Sequence, residues 1–565
     1  MTEATDTEAS IDPPADRSPR TLQRWVFWPA AAIALVFIAF ALFFPAAAEV
    51  TFGAVQTAIV SAFNWYYVLI AAFFVVFALT MGFSRFGRIK LGRDDDEPEF
   101  STLSWFSLLF AAGMGIGLVF YGVSEPLSHF TSPRPGVEGT PTQLAQQAMS
   151  QTFLHWGVHA WSIYVVIGLA LAYAFHRRQR PRTIRWALEP ILGARLVQGG
   201  WGNAVDVAAL VGTLFGVATS LGLGVIQISA GLEFLGVVSP SILSQAILIG
   251  VITTFVLFSV LSGVGRGMKW LSNFNLVLAG VLMLYLLFAG PTEFLLRDAV
   301  QSIGNYIQNF VGLSFTTSAY AGDAGVAWQG AWTAFYWGWW ISWAPFVGIF
   351  IARISRGRTV REFVTGVILV PTLVGILWFT VLGGSAIYAE LTDSASFVGP
   401  DGTVDVSTAL FQMLETVPGS VFLVVGFLLL IGIFFITSAD SGALVMSMIA
   451  TGGEEEPPRW TRVFFTLATS VIAFALLIAG GLTALQAAAI SIALPFSLVL
   501  LAICWATVVA FRRELKAYDR AERARLRDQI AEHYGLEVEE ANRRGIFGLP
   551  ARWRRHRAEH DAPVG

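Results

Sequence analysis

Apolar runs long enough to cross a bilayer recur through this chain, near residues 25–46, 58–83, 101–127, 147–175, 203–229, 240–263, 269–290, 327–352, 361–388, 419–450, 460–480 and 483–510. About 20 apolar residues of helix span the hydrocarbon core. Inside that core every backbone N–H and C=O must find its partner within the protein, so runs of this length read as helices. Charged residues make up 13% of the 565, against about 25% in a soluble domain. The expected fold is therefore an all-α polytopic membrane protein with twelve transmembrane helices. Basic residues fall in every second loop: Arg85, Arg88, Lys90 and Arg93, then Arg177 to Arg185, Arg266 and Lys269, Arg353 to Arg361, Arg459 and Arg462, and finally Arg512 and Arg513. The intervening loops hold only Arg134 and Arg297. The positive-inside rule then places both termini in the cytoplasm.

Outside the spans, residues 1–24 read as an acidic, disordered cytoplasmic tail with no signal-peptide pattern. Residues 25–510 form the membrane domain, in which 294–314 is too polar to cross and reads as an amphipathic helix along the outer interface. Residues 511–565 interleave Glu and Asp with Arg at helical spacing, as in a solvated or membrane-surface helix stopping near Gly535, and a basic cluster at Arg552, Arg554, Arg555 and Arg557 follows. The single cysteine, Cys504, excludes an internal disulfide and a cysteine-built metal centre.

Six tryptophans, Trp328, Trp332, Trp337, Trp339, Trp340 and Trp343, crowd into the eighth run before the arginine cluster that ends it. Tryptophan favours the headgroup level, so one reading is an interfacial belt. The other is a cage for a cationic ligand, because the indole face is the best neutral partner for a quaternary ammonium. The fourth run carries Trp156, Trp161 and Tyr164, close enough in helical rotation to line one wall or to form a plain packing seam. His155 and His159, four apart, have no Cys or carboxylate at suitable spacing and do not read as a metal pair.

The third run contains Gly113, Gly115, Gly117 and Gly122. Such glycines either let helices pack closely or unwind a helix at mid-membrane and free carbonyls for a ligand or cation. Glu125-Pro126 reads as a helix terminus. In the tenth run Thr437, Ser438, Asp440 and Ser441 bring oxygen into an apolar helix, and Asp440 stands for a gate or a helix contact. Gly212, Thr213, Gly216 and Ser220 punctuate the fifth run, and Asp206 opens it.

Taken together, GMGIGLVFYG (113–122), HWGVHAWSIY (155–164), FYWGWWISWAPFVGIFIARISRGR (335–358) and ITSADSG (436–442) resemble the betaine/choline/carnitine transporter family, and most closely its sodium-coupled glycine betaine carriers. The resemblance covers most of residues 60–510. It implies a secondary active transporter, not an enzyme, in a bacterial plasma membrane, with a leucine-transporter type fold. Two peripheral helices (25–83) precede two inverted five-helix repeats, spans 3–7 (101–290) and spans 8–12 (327–510). It assigns Trp156, Trp161, Tyr164 and Trp340 to a box around trimethylammonium, Trp337, Trp339 and Trp343 to the path beside it, and the backbone of Gly113, Gly115 and Gly117 to substrate approach. It also implies a sodium site from Ala111, Met114, Phe434, Thr437 and Ser438, and a second from Thr213 and Phe346, where Val217 supplies no hydroxyl.

Choline-carrying relatives look like GMGID where this chain has Gly117, and a zwitterion such as betaine needs no fixed anion beside it, so Gly117 favours a zwitterionic solute. Ectoine, proline and carnitine remain open as substrates, and a non-transporting osmosensor as a rival function. The expected coupling ion is sodium, with no other cofactor. The expected partners are anionic lipids at the tail and two further copies in a homotrimer, with no nucleic acid.

Overall fold

The computed structural model describes residues 22–113, 115–262, 265–400 and 402–533. The acidic segment 1–20, Met114, the stop near Gly535 and the 552–557 cluster lie outside the described residues. Every regular element described is helical; the β pairing consists of isolated bridges, Lys90 with Thr359 and Val398 with Val404. In chain order the helices are α1 (Arg24–Phe43), α2 (Pro45–Phe83), α3 (Thr102–Gly113), α4 (Ile116–Thr131), α5 (Pro141–Trp156), α6 (Val158–Ala172), α7 (Glu189–Gln198), α8 (Gly200–Phe234) and α9 (Ile242–Ser262). There follow α10 (Gly265–Ala289), α11 (Thr292–Ser314), α12 (Gly322–Ala331), α13 (Thr333–Arg353), α14 (Val360–Leu391), α15 (Ala409–Glu415), α16 (Ser420–Ala450), α17 (Arg459–Ile478) and α18 (Gly481–His533).

Among the described residues, eleven helical stretches are long and apolar enough to cross a membrane, where the sequence predicts twelve. The difference lies in the third run. It is split into α3, 12 residues, and α4, 16 residues, and neither alone reaches the length that the hydrocarbon core requires. Gly115, the N-cap of α4, is fully extended (φ −129°, ψ −169°), so the glycine-rich stretch does unwind. Two further interruptions were not predicted. Gly157 (φ −98°, ψ −129°) separates α5 from α6, and Trp332 (φ −122°, ψ −88°) separates α12 from α13. The predicted amphipathic run is α11. The predicted separate tail helix is instead the continuation of α18, an unbroken helix of 53 residues. Two compact units divide the chain after Ala506, and the described part of the second is the charged end of α18.

A helix that is apolar on all sides suits either a protein core or lipid. Helices α6, α8 and α13 take the first place and are buried along most of their length, while α9 and α10 leave large apolar side chains such as Phe255, Phe258, Val277 and Phe288 exposed. The most extensive helix pairing is α6 with α13. Two glycines, one from each helix, make it possible. A Cβ on Gly168 would lie 2.4 Å from Ile351 Cδ1, and one on Gly348 would lie 2.5 Å from Ile167 Cγ2. Each isoleucine fills the space its partner glycine leaves, the small-residue device by which helices associate where lipid removes the hydrophobic drive.

The RISRGR end of α13 is clamped to the segment after α2. The Leu91 amide donates to the Arg358 carbonyl (2.8 Å), that of Gly357 to Leu91 (2.8 Å) and that of Val360 to Ile89 (2.9 Å). Arg358 lies 4.1 Å over the ring of Trp105, whose indole N–H donates to Ser355 Oγ at 3.0 Å. Arg356 pairs with Asp96 at 3.2 Å. The Arg356 guanidinium, with the Arg93 amide, holds the Asp96 carboxyl below its ordinary range. That contribution is present above the ordinary pKa and is lost as pH falls through the lowered one.

Replacing Gly348 by Leu should overpack the α6–α13 contact, at about 1–3 kcal/mol, and lower the thermal unfolding midpoint of the purified protein. An unchanged midpoint would mean that the two helices have slack between them.

Candidate functional site

Position 336 is three and four residues before 339 and 340, and 343 is four and three after them, so Tyr336, Trp339, Trp340 and Trp343 share one face of α13. All are buried, which removes the interfacial-belt reading for this part of the stretch. Trp339 and Trp340 stack at 4.8 Å with planes 14° apart. Trp156, the last residue of α5 before the Gly157 break, meets Trp340 edge-on at 4.9 Å. Tyr164 of α6 meets Trp340 at 6.4 Å and Trp161 at 5.4 Å. The four predicted box residues thus form one continuous cluster, Trp161–Tyr164–Trp340–Trp156.

Three of the indoles are fixed by their N–H groups. Trp340 donates to the His155 carbonyl at 2.9 Å, Trp339 to Ser220 Oγ at 3.2 Å, and Trp156 to Glu125 Oε2 at 2.6 Å. The unwound segment reaches this cluster directly. A Cβ on Gly117 would lie 2.2 Å from Trp339 Cη2 and 3.1 Å from Trp156 Cη2, and one on Gly115 would lie 3.4 Å from Trp343 Cη2. Gly113 closes α3 on the other side of the break. Trp343 also meets Phe346 at 5.3 Å and packs on Gly216 of α8. Trp337 stands apart from its neighbours: it points to another face and stacks on His159 at 5.4 Å. Trp328 and Trp332, at the start of the stretch, are half-buried against His129.

Glu125 is the residue that sequence reasoning misplaced. It lies inside α4 with Pro126, not at a terminus, and is fully buried. Its carboxylate accepts from Trp156, from the Tyr336 hydroxyl and from His155 Nδ1 (2.6 Å). Helices α4, α5 and α13 therefore meet on one carboxylate. The available signal was a carboxylate in an apolar run with His129 one turn later.

The predicted sodium ligands are placed less tightly. Thr437 donates to the carbonyls of Ile433 (2.9 Å) and Phe434 (3.2 Å) within its own helix, and Ser438 beside it is half-buried. Ala111 lies in the last turn of α3, and its predicted partner Met114 is outside the described residues. Thr213 donates to Ala209 at 2.8 Å on α8, which packs on α13, the helix that carries Phe346. Two carboxylates take structural places. Asp440 pairs with Arg462 of α17 at 2.9 Å, the helix-contact reading. Asp206 accepts from the Arg185 amide (2.9 Å) and side chain (2.5 Å), tying down the segment before α7.

A bundle of membrane-spanning helices with a buried aromatic cluster at a broken helix is the architecture of a solute carrier rather than of an enzyme. The comparisons agree. Residues 25–516 match the betaine/carnitine/choline family transporter family. An uncharacterized transporter of Mycobacterium tuberculosis is 48% identical over 91% of this chain and 86% of its own. The glycine betaine transporter OpuD of Bacillus subtilis is 42% identical over 88% of this chain and 97% of its own, and the high-affinity choline transport protein of Escherichia coli is 38% identical over 91% and 75%. The chain belongs to the betaine/carnitine/choline transporter family, whose members are transporters.

Glu125→Ala would leave three buried donors without an acceptor, at about 1–3 kcal/mol each. The unfolding midpoint should fall sharply, and by less for Glu125→Gln, which keeps one acceptor oxygen. Equal midpoints for wild type and both variants would remove the carboxylate from its anchoring role.

Proposed function

We propose that this protein imports glycine betaine, or a closely similar zwitterionic compatible solute, by sodium symport, as a defence against osmotic stress. The observation that carries the reading is the continuous aromatic cluster Trp161–Tyr164–Trp340–Trp156, with Gly117 packed on Trp156 just after the break at Gly115. A desolvated cation–π contact is worth about 2 kcal/mol, so several rings suffice for micromolar binding after ordering costs. Trp156 and Trp340 touch in this conformation; one ring must turn to admit a trimethylammonium group.

Relatives named for betaine and for choline are similarly close to this chain, so identity does not choose between them. Position 117 does. An acid there would collide with Trp339, and a cationic solute would go without the fixed anion it gains from. The buried carboxylate nearby, Glu125, already accepts from Trp156, Tyr336 and His155 and acts through the rings rather than on the solute.

The architecture we infer has twelve crossings, α3 with α4 supplying the one not counted by length, and two inverted repeats. Helix packing supports this. Exchanging spans 3 and 8, and spans 4 and 9, turns the α13–α6 contact into the α4–α14 contact, and both are extensive. The same exchange relates α8–α17 to α16–α9, and maps α8–α16 and α9–α17 onto themselves. One break in each proposed repeat, at Gly115 and at Trp332, is in keeping with carriers whose interrupted helices bind solute near mid-membrane.

Sodium would bind among Ala111, Met114, Phe434, Thr437 and Ser438, with Thr213 and Phe346 near a second ion. Each cation moved inward gains about 2.3 kcal/mol per 100 mV. Two would support accumulation on the order of a thousandfold, since 1.36 kcal/mol is tenfold. Both termini would be cytoplasmic, and the charged tail a regulatory element on anionic lipid, at about 1 kcal/mol per basic residue near the surface.

In proteoliposomes, labelled betaine uptake should require an inward sodium gradient, and unlabelled betaine should compete better than choline, ectoine, proline or carnitine. Trp340→Leu should raise the KM about tenfold or more, the loss of one desolvated cation–π contact, with a smaller effect on maximal rate. Sodium-independent uptake would sink the ion assignment, and an unchanged KM would take Trp340 out of the box.

A further inference from the structure

We propose that Glu125, His129 and His155 form a site for a transition-metal ion of the zinc class at the end of the aromatic cluster, and that occupancy of this site arrests transport. One ligand atom from each of the three residues lies within 4.8 Å of the others, and all three residues are buried. Glu125 Oε1 is 2.6 Å from His155 Nδ1 and 3.4 Å from His129 Nε2. A tetrahedral zinc takes oxygen and nitrogen ligands at about 2.0–2.2 Å, which places them roughly 3.4 Å apart, so small side-chain rotations complete the set.

His129 gives the site its independent signal. It is 3% exposed, yet neither ring nitrogen makes a well-formed hydrogen bond. Nδ1 has no partner and Nε2 has only the long 3.4 Å approach to Glu125 Oε1, an arrangement that a metal held between Nε2 and Oε1 would tighten. The surroundings already have the form of an outer shell. Tyr336 and Trp156 hold Oε2, leaving Oε1 to the ion. His155 Nε2 lies 3.0 Å from Thr333 Oγ1, a hydroxyl oxygen able to accept the second N–H that a metal-ligating histidine normally donates.

A polar cavity of about 670 Å³, lined by His129, Gln151, Arg134, Glu138, Asn305 and Trp328, opens onto His129 and provides both an entry path and water for a fourth ligand. Arg134 and Glu138 carry opposite charges, so the path does not repel a cation outright. Two imidazoles and one carboxylate select zinc, copper or nickel over magnesium, calcium or sodium, which prefer oxygen throughout. The sequence spacing pointed to His155 and His159 as the pair to weigh; in the fold His159 stacks on Trp337, and His129 takes its place beside His155.

Bound metal would join α4 to α5 at the carboxylate from which Trp156 and Tyr336 hang. The arrest rests on the reading of these rings as the transport site; the binding does not. The purified full-length protein is titrated with cobalt(II) as a spectroscopic probe, and zinc is then added. A tetrahedral cobalt d–d spectrum should develop in wild type, vanish on zinc addition and be absent from His129→Ala and from His129→Gln, which preserves side-chain bulk. In proteoliposomes zinc chloride should inhibit betaine uptake, and both variants should keep zinc-free uptake while losing sensitivity by roughly tenfold or more, as loss of even an outer-shell partner costs that much. No cobalt spectrum in wild type, or a spectrum unchanged in both folded variants, overturns the site. Zinc inhibition equal in wild type and both variants overturns the arrest.

Discussion

The carboxylate of Glu125 carries more of this architecture than any other side chain. An ionised carboxylate cannot sit in a membrane-embedded core unless donors surround it. Here the donors come from Trp156, Tyr336 and His155. Two of these are aromatic residues in direct contact with the cluster, so the charge that must be satisfied also sets the angle of the rings. Removing the charge alone and removing the acceptors are different perturbations, because a neutral oxygen still fixes an indole N–H.

Around that point the packing is arranged to let backbone and large rings touch. Gly117 admits Trp339 and Trp156, Gly216 admits Trp343, and the Gly168–Gly348 exchange draws α6 onto α13. These contacts set two demands against each other. The helix must break at Gly115, and the rings must approach the neighbouring backbone closely. Glycine meets both, since it frees the backbone and leaves no side chain in the way.

The aromatic face was legible because it is local. Positions 336, 339, 340 and 343 share a face of any helix, and Trp156, Trp161 and Tyr164 fall close together on theirs. The unwinding at Gly115 was legible for the same reason, as one of two stated alternatives. What escaped is what depends on partners far along the chain. The acceptor for Trp156 lies 31 residues away and the donor Tyr336 lies 211 from Glu125, so nothing near Glu125-Pro126 distinguishes a buried anchor from a helix end. The break at Trp332 has only Gly330, two residues earlier, to announce it, and that at Gly157 has one glycine among many. The family resemblance groups Trp337 with Trp339 and Trp343; in the fold Trp337 stands on another face and stacks on His159. The helical count fell short because the break at Gly115 divides the third run into two helices, each too short to cross alone.

The clamp at the arginine end of α13 sets the mechanics of this helix. Bonds from Leu91, Gly357 and Val360, with Arg358 over Trp105, fasten that end to the segment following α2, while Trp332 breaks the helix at the other. A rod hinged at its base turns small rotations into large arcs. Trp340 stands 13 residues above Arg353, about 20 Å at 1.5 Å per residue. A swing of about 5° at the clamp would therefore carry the indole through roughly 1.7 Å at that rise, which is enough to open or close an edge contact between two rings. The clamp would be the fulcrum of such a swing, with the aromatic face along the lever arm.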